Sequence, residues 1–388
     1  VIILAWILIA APFALAIYAY ALYPTLLRLL AFSRSARAVP AAAGDPTSWP
    51  LISITVPAYN EERAIRATIE NLLACDYPAD RREIMVVSDA STDGTDAIVR
   101  EYADRGVTLL RLPQRGGKTA AENAAGAAVR HDIVINTDAS VRVKHDSLKP
   151  LVRMFADPTV GVASGRDVSV GDVAAESSAG ESGYVGYEMG LRALETRVGS
   201  IIGASGCFYA FRRSVYDTQF PDALSRDFAS VLIAREQGYR SVSVDQAVCF
   251  VPRTVSLDAE FRRKIRTMAR GLATLWYKRA LLNPFRYGAF SFMLASHKLA
   301  RWLVYAALPL AGIGLILLAT TGTLGVAMLA LSVLGVGAGI LGMRWRGAPR
   351  AIRMAGFAFA SALAGVIAWK DALARKRRPI WEPTRRPA

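Results

Sequence analysis

Leu51-Ile52-Ser53-Ile54-Thr55-Val56-Pro57-Ala58-Tyr59-Asn60-Glu61-Glu62 opens the part of the chain whose fold is most legible. Its first six residues are mostly apolar and β-branched, which favours an extended strand, and Pro57 closes the run. Ile65, Ile69, Leu72 and Leu73 then recur at helical spacing and predict a helix over residues 60–73. Ile84–Val87 predicts a second strand, ending at Ser88-Asp89. A helix is expected from about Asp96 to Tyr102, a third strand over Val107–Leu112, an Ala-rich helix over Thr119–Val129 and a fourth strand over Ile133–Asn136. Strands alternating with helices predict an α/β fold built on a doubly wound, mostly parallel sheet. Such sheets bind ligands beyond the carboxyl ends of their strands. Those ends carry Tyr59, Asn60 and Glu61, then Asp89, then Arg115–Lys118, then Asp138.

Two common uses of such a crevice are excluded. The first turn has no G-x-G-x-x-G, and although Gly117-Lys118-Thr119 matches the end of a Walker loop, Leu112 stands where its first glycine belongs. Charge excludes another class. The formal net charge is +15, but residues 51–252 carry 22 basic and 27 acidic side chains, whereas residues 253–388 carry 22 and 4. The positive charge belongs to the hydrophobic C-terminal third, where it marks membrane flanks and not a nucleic-acid surface. Cys75, Cys207 and Cys249 are too few and too scattered for a disulfide framework or a zinc site, so any metal would sit on oxygen ligands.

Val1–Tyr23 is uncharged, apolar and long enough to cross a hydrocarbon core of about 30 Å, and is expected to be an anchor rather than a cleaved signal. Arg28, Arg34 and Arg37 follow it, which places the next domain in the cytoplasm by the positive-inside rule; Val39–Pro50 reads as a linker. Phe285–Lys298 is expected to be an interfacial helix, with His297 at its surface. Leu299–Leu318 and Leu324–Met343 predict a transmembrane hairpin, and Arg344, Arg346, Arg350 and Arg353 mark the return. Met354–Trp369 reads equally as a third span or an interfacial helix before the basic stretch Lys370–Arg386. The expected division is an anchor (1–23), a juxtamembrane linker (24–50), an α/β domain (51–271), an interfacial region (272–298), a hairpin (299–343) and a third apolar segment with a basic tail (344–388).

In this order and spacing, the first-turn motif, Ser88-Asp89-Ala90-Ser91-Thr92-Asp93-Gly94-Thr95, Gly116-Gly117-Lys118, Thr137-Asp138-Ala139-Ser140, Ser225-Arg226-Asp227 and the Arg263–Gly271 cluster resemble the membrane-bound bacterial family 2 glycosyltransferases, the cellulose and hyaluronan synthase-like group. The resemblance covers about Leu51 to Gly271 and implies a GT-A nucleotide-sugar-binding domain, a plasma-membrane location and a divalent metal, Mg2+ or Mn2+. It implies that Pro57, Tyr59, Glu61 and Asp89 hold the nucleotide, with a UDP-sugar as donor, while Lys118, Arg263, Arg266 and Arg270 face its diphosphate. Asp138 would carry the metal and Asp227 would be the general base. Ser205 and Gly206, in the small-residue loop Gly203–Cys207, would lie on the acceptor side, and Gly171–Gly183 reads as a mobile loop near the acceptor entrance. Cys207 is expected to pack.

Several positions admit a second reading. Asp89 could cap the turn that follows it, Asp93 is expected to be a turn residue, and Asp227 could be a helix N-cap. Arg262 and Lys264 suit anionic headgroups. The chain also departs from the family pattern. Ser140 replaces a second aspartate, Arg226 replaces an acidic neighbour of Asp227, and Thr267 replaces a tryptophan platform, which favours single addition over processive synthesis. The function expected is transfer of a sugar to a lipid-linked or glycan acceptor in envelope or exopolysaccharide synthesis. The alternative is a catalytically silent nucleotide-binding membrane protein that regulates or scaffolds such synthesis.

Overall fold

The computed structural model describes residues 1–33, 48–170, 177–252, 257–345 and 347–374. Most of the expected linker, the first part of the Gly171–Gly183 loop and the basic tail from residue 375 lie outside the described residues. The strands are β1 (Ile52–Ala58), β2 (Arg82–Ser88), β3 (Val107–Arg111), β4 (Ile133–Thr137), β5 (Arg142–Val143), β6 (Val160–Val170), β7 (Phe208–Arg212) and β8 (Arg240–Pro252). The helices are α1 (Ile2–Ile17), α2 (Tyr23–Ser33), α3 (Ile65–Ala74), α4 (Thr95–Arg100), α5 (Lys118–Ala128), α6 (Leu148–Arg153), α7 (Ser177–Val198), α8 (Arg213–Tyr216), α9 (Arg226–Glu236), α10 (Leu257–Tyr277), α11 (Pro284–Tyr287), α12 (Ala289–Leu294), α13 (Arg301–Ala319), α14 (Thr323–Arg344) and α15 (Arg350–Leu373).

One eight-stranded sheet runs in the order β3-β2-β1-β4-β7-β6-β8-β5. Its first half is parallel, with Ile54 of β1 opposite Ile84 on one side and Ile135 on the other. β7 pairs antiparallel with both β4 and β6, so the second half is mixed. Side chains alternate between two cores. Ile52, Ile54, Val56, Ile84, Val86, Ile135 and Phe208 point into one, and Met85, Val87, Val134, Tyr209 and Phe211 into the other. Burial of both faces explains why these strands read as nearly continuous apolar runs.

Three local expectations change. The helix after β1 begins at Ile65, not Asn60, because Asn60 has φ 53° and the turn behind it is bonded to the loop after β2. Residues 177–183, expected in a mobile loop, open the 22-residue helix α7. The chain breaks at Gly288 (φ 57°), and from there α12, a π-helical turn (Ala295–Ala300) and α13 run as one 31-residue stretch.

Among the described residues, four stretches are long and apolar enough to cross a membrane: Ile2–Phe32, Ala289–Ala319, Thr323–Arg344 and Arg350–Leu373. The contacts of the last differ in kind from those of the others. A Cβ on Gly339, near the end of α14, would meet Phe359; one on Gly365 would meet Tyr305, near the start of α13; and Trp369 Nε1 donates to Trp302 O (2.8 Å). Lys264 of α10 donates to Ser361 (2.7 Å) and lies 3.7 Å from the Phe357 ring centroid, so it serves helix packing and not the headgroup contact expected for it. All of these partners stand at the end of the helix bundle nearest the α/β domain.

His297, expected at the surface, is buried between two glutamates of α7. Its Nδ1 lies 2.6 Å from Glu195 and its Nε2 3.2 Å from Glu188. Tyr23 OH and Ile202 N also donate to Glu195, at 2.8 and 3.1 Å. Leaving a buried donor without its acceptor costs about 1–3 kcal/mol, and Glu195 satisfies three such groups at once. Glu195→Ala is therefore expected to lower the thermal midpoint of the detergent-solubilised chain sharply, with Glu195→Gln losing less. A midpoint unchanged by Glu195→Ala would show that the α7 clamp adds nothing.

Candidate active site

The turns after β1 and β2 are bonded to each other before they bind anything. Asn60 Oδ1 accepts from Thr92 N (2.8 Å), Thr95 Oγ1 from Glu61 N (2.8 Å), and the Glu62 carboxylate from Gly94 N (2.9 Å). Asp93 accepts from Thr95 N (3.0 Å) and so acts as the expected turn residue. Ala90 has φ 56°, a conformation that costs a non-glycine residue about 1–3 kcal/mol and that gathers at functional sites.

The strained residue adjoins Asp89, which is buried. Its two carboxylate oxygens accept from Gly116 N (2.7 Å) and Gly117 N (2.8 Å), so it holds the loop after β3 and not the turn that follows it. Each oxygen retains a second lone pair for a ligand N–H. Both glycines are required by shape: Gly117 has φ 90°, and a Cβ on Gly116 would lie 2.6 Å from Ala120 Cβ. The Arg115 guanidinium lies 3.9 Å from the centroid of the Tyr59 ring. Pro57 is buried in β1 opposite Val87, below this wall. A fixed carboxylate beside an aromatic ring is a setting that suits a nucleobase edge and face.

Lys118 is the first residue of α5, whose N-terminal dipole end faces the crevice. Its ammonium donates to Asp138 Oδ1 (2.5 Å) and Gly206 O (2.6 Å). Burial opposes that charge, but the carboxylates of Asp138 and Glu122 outweigh it and raise the Lys118 pKa. Gly206 also adjoins Asp227, since a Cβ there would lie 3.0 Å from Asp227 Oδ2. Lys118, Asp138 and Asp227, from three different elements, thus meet around one glycine.

Asp227 lies in the first turn of α9 and accepts from Ser225 Oγ (2.6 Å). Ser225 occupies the N-cap position, without a side-chain capping bond, so Asp227 is not the N-cap. Arg226 is buried and turned away. It donates to Asn123 Oδ1 and Tyr216 O and stacks 4.7 Å from the Tyr216 ring centroid, so it is spent on packing and not on the Asp227 carboxylate.

Two expected site residues serve the scaffold. Ser205 is fully buried; its hydroxyl donates to Asp167 (2.5 Å) and accepts from Cys207 N (3.0 Å), so it shapes the loop that presents Gly206 to Asp227. Arg270 donates to Thr119 Oγ1 (2.8 Å), Asp222 O (3.3 Å) and Leu224 O, tying α10 to the segment before Asp227. Arg263 and Arg266 precede it on α10 at spacings that share its face.

Glu122 was not singled out from sequence. It is buried one turn beyond Lys118 and accepts from Asn136 Nδ2 (2.9 Å) and Tyr209 OH (3.3 Å) beneath the site. Burial raises its pKa despite the opposing charges of Lys118 and Arg226. The i, i+4 pairing of Lys118 with Glu122 was the available signal.

Among the described residues, no three His, Cys, Asp or Glu side chains gather to hold a metal unaided. Asp138, with one oxygen on Lys118, still fits a hard cation that takes its remaining ligands from phosphates and water.

The glycosyl transferase family 2 model matches residues 53–220. The chain is 37% identical over 130 residues to a beta-monoglucosyldiacylglycerol synthase of Synechocystis sp., covering 32% of this chain and 27% of that one. It is 28% identical over 284 residues to an N-acetylglucosaminyltransferase of Mesorhizobium japonicum, covering 67% of this chain and 66% of that one. It therefore spans only part of the length of these curated relatives. Among solved structures it is similar to a mannosyltransferase from Pyrobaculum calidifontis in complex with GDP-Man and Mn2+, at 26% identity and a TM-score of 0.73, covering 96% of this chain and 99% of that one. The chain therefore carries a glycosyl transferase family 2 domain of the GT-A fold, flanked by apolar helices, as its strand-end motifs implied.

Proposed function

We propose that the protein is a membrane-anchored enzyme that transfers one sugar from a nucleoside diphosphate sugar to an acceptor hydroxyl, with inversion, in glycolipid or polysaccharide synthesis. The observation that carries this reading is the convergence of Lys118, Asp138 and Asp227 on Gly206. It joins a phosphate-binding cation, a metal-competent carboxylate and a carboxylate base held by Ser225 in one place.

Asp89 accepts an N–H from the base edge. Uracil is the base the sequence motif favours, and guanine, held by the Pyrobaculum mannosyltransferase, offers the same kind of donor. Lys118 holds the diphosphate, and Arg263 and Arg266 extend the cationic wall. A divalent ion on Asp138 would neutralise charge developing on the leaving diphosphate. Asp227 takes the proton of the acceptor hydroxyl as its oxygen bonds to the anomeric carbon. The bond from that carbon to the phosphate oxygen breaks on the opposite face, which inverts the configuration.

Contacts and charge support one membrane arrangement. Ile2–Phe32, Ala289–Ala319 and Thr323–Arg344 cross, whereas α15 lies along the interface, because its partners on α10, α13 and α14 all stand at the domain end of the bundle. Three crossings leave Arg344, Arg350 and Arg353 on the domain's side, the cytoplasmic side by the positive-inside rule.

The test is a screen of UDP-, GDP- and TDP-sugars with the purified full chain, extracted membrane lipids and Mg2+ or Mn2+, reading nucleoside diphosphate release. Release that depends on lipid and metal is expected. Tight nucleotide binding with no release from any donor would favour a silent scaffold instead.

A further inference from the structure

A charged cluster outside the crevice has no part in the mechanism above. At its centre, His297 and Arg301 answer the carboxylates of Glu188 and Glu195. Arg301 Nη1 lies 2.5 Å from Glu188 Oε1, and His297 bridges Glu188 Oε2 and Glu195 Oε1. The last oxygen, Glu195 Oε2, takes Ile202 N. Each carboxylate oxygen thus has a donor or cation within reach, Glu188 Oε1 through its ion pair with Arg301 and without a hydrogen bond, and two further basic side chains stand at the same place. Lys298 makes no hydrogen bond or close ion pair among the described residues. Its Nζ lies 5.8 Å from the centroid of Phe228, the residue after Asp227, and 3.4 Å from where a Gly203 Cβ would stand. Arg192 spends Nη2 on Ala204 O (3.1 Å), while its Nη1 is buried with no hydrogen-bond partner among the described residues.

The level of this pair is set by the helices. At 1.5 Å per residue, α13 alone spans about 28 Å, close to a hydrocarbon core. The π-helical turn that carries Lys298 precedes it and therefore stands at the boundary between bilayer and domain. The first membrane helix has its own π-helical turn, Tyr18–Leu22, at the same height, where Tyr18 OH bonds Ser296 Oγ at 2.6 Å. Such turns gather at functional sites.

We propose that Lys298 and Arg192 form a subsite for the phosphate of a lipid acceptor whose headgroup reaches the crevice beside Asp227. An ammonium and a guanidinium left over after every nearby carboxylate is paired suit a phosphate, and their height suits one attached to a lipid. The loop Gly203–Gly206 links this subsite to the catalytic centre. The inference rests on the acceptor side of the proposed function, but its test does not need turnover.

The test measures binding of three probes to the detergent-solubilised full chain: a C20 alkyl phosphate, the corresponding C20 alcohol and inorganic phosphate. The wild type is expected to bind the alkyl phosphate at least about tenfold more tightly than either control. Lys298→Met is expected to abolish that preference and Lys298→Arg to restore it, with UDP and GDP binding unchanged in both. If Lys298→Met loses nucleotide binding as well, its fold is damaged and Arg192→Gln carries the test. A preference that survives loss of the cation overturns the proposal. Equal binding of the alcohol would mean a lipid groove only, and equal binding of inorganic phosphate a free-anion site; either result also overturns it. If the alkyl phosphate binds as expected while no donor releases nucleoside diphosphate, the transferase reading fails and the subsite stands.

Discussion

Asp227→Asn is expected to slow sugar transfer by about 10²–10⁴-fold, the usual contribution of a positioned general base, while donor binding is unchanged. The substitution keeps the shape of the side chain and an oxygen for Ser225 Oγ, so the first turn of α9 should persist. What disappears is the carboxylate beside Gly206 that, among the described residues, is not held by Lys118, whereas Asp138 has one oxygen on that ammonium. The check is acceptor-dependent release of nucleoside diphosphate at saturating donor, together with the donor dissociation constant. Full activity in this variant would remove Asp227 from the mechanism, and a large loss of donor affinity would move it to the binding wall.

Asp138→Asn is expected to lower kcat/KM by about 10²–10³-fold, the scale for removing one electrostatic contact to a developing charge. The loss has two sources. The carboxylate that would hold a divalent ion is gone, and Lys118 keeps only the Gly206 carbonyl as its acceptor. Lys118→Met should cause a loss of similar size. Because the two side chains act as one unit, the double variant should be little worse than the poorer single one. Multiplying losses in steady-state kinetics would show that Lys118 and Asp138 work independently.

The parallel half of the sheet was legible because its strands are short apolar runs separated by amphipathic helices, and each strand end carries polar residues that a core would not keep. The antiparallel half was less so. β7 pairs with β4 across about 70 residues of chain, and nothing in the Phe208–Phe211 run records that partner. Within the site, Lys118, Asp138, Gly206 and Asp227 gather, but sequence did not say which way their neighbours face. Ser205 and Arg270 lie where expected, yet their polar atoms are spent on neighbouring backbone and side-chain groups. Arg226 stands beside Asp227 in sequence but turns toward Asn123 and Tyr216, because successive residues on a helix point about 100° apart. His297 was misplaced for a different reason. A histidine in an aromatic, basic stretch reads as interfacial unless one knows that Glu188 and Glu195, more than 100 residues earlier, return to meet it.

The most direct test of the central claim is a structure of the full chain with Mn2+ and a nucleoside diphosphate, UDP or GDP. The base should lie beside Asp89 and Tyr59, and the diphosphate between Lys118 and Asp138. The contrary result would be nucleotide bound elsewhere, for instance at the opposite end of the strands in the cavity of about 650 Å³ lined by Trp49, Arg130 and Arg153, with the strand-end crevice empty.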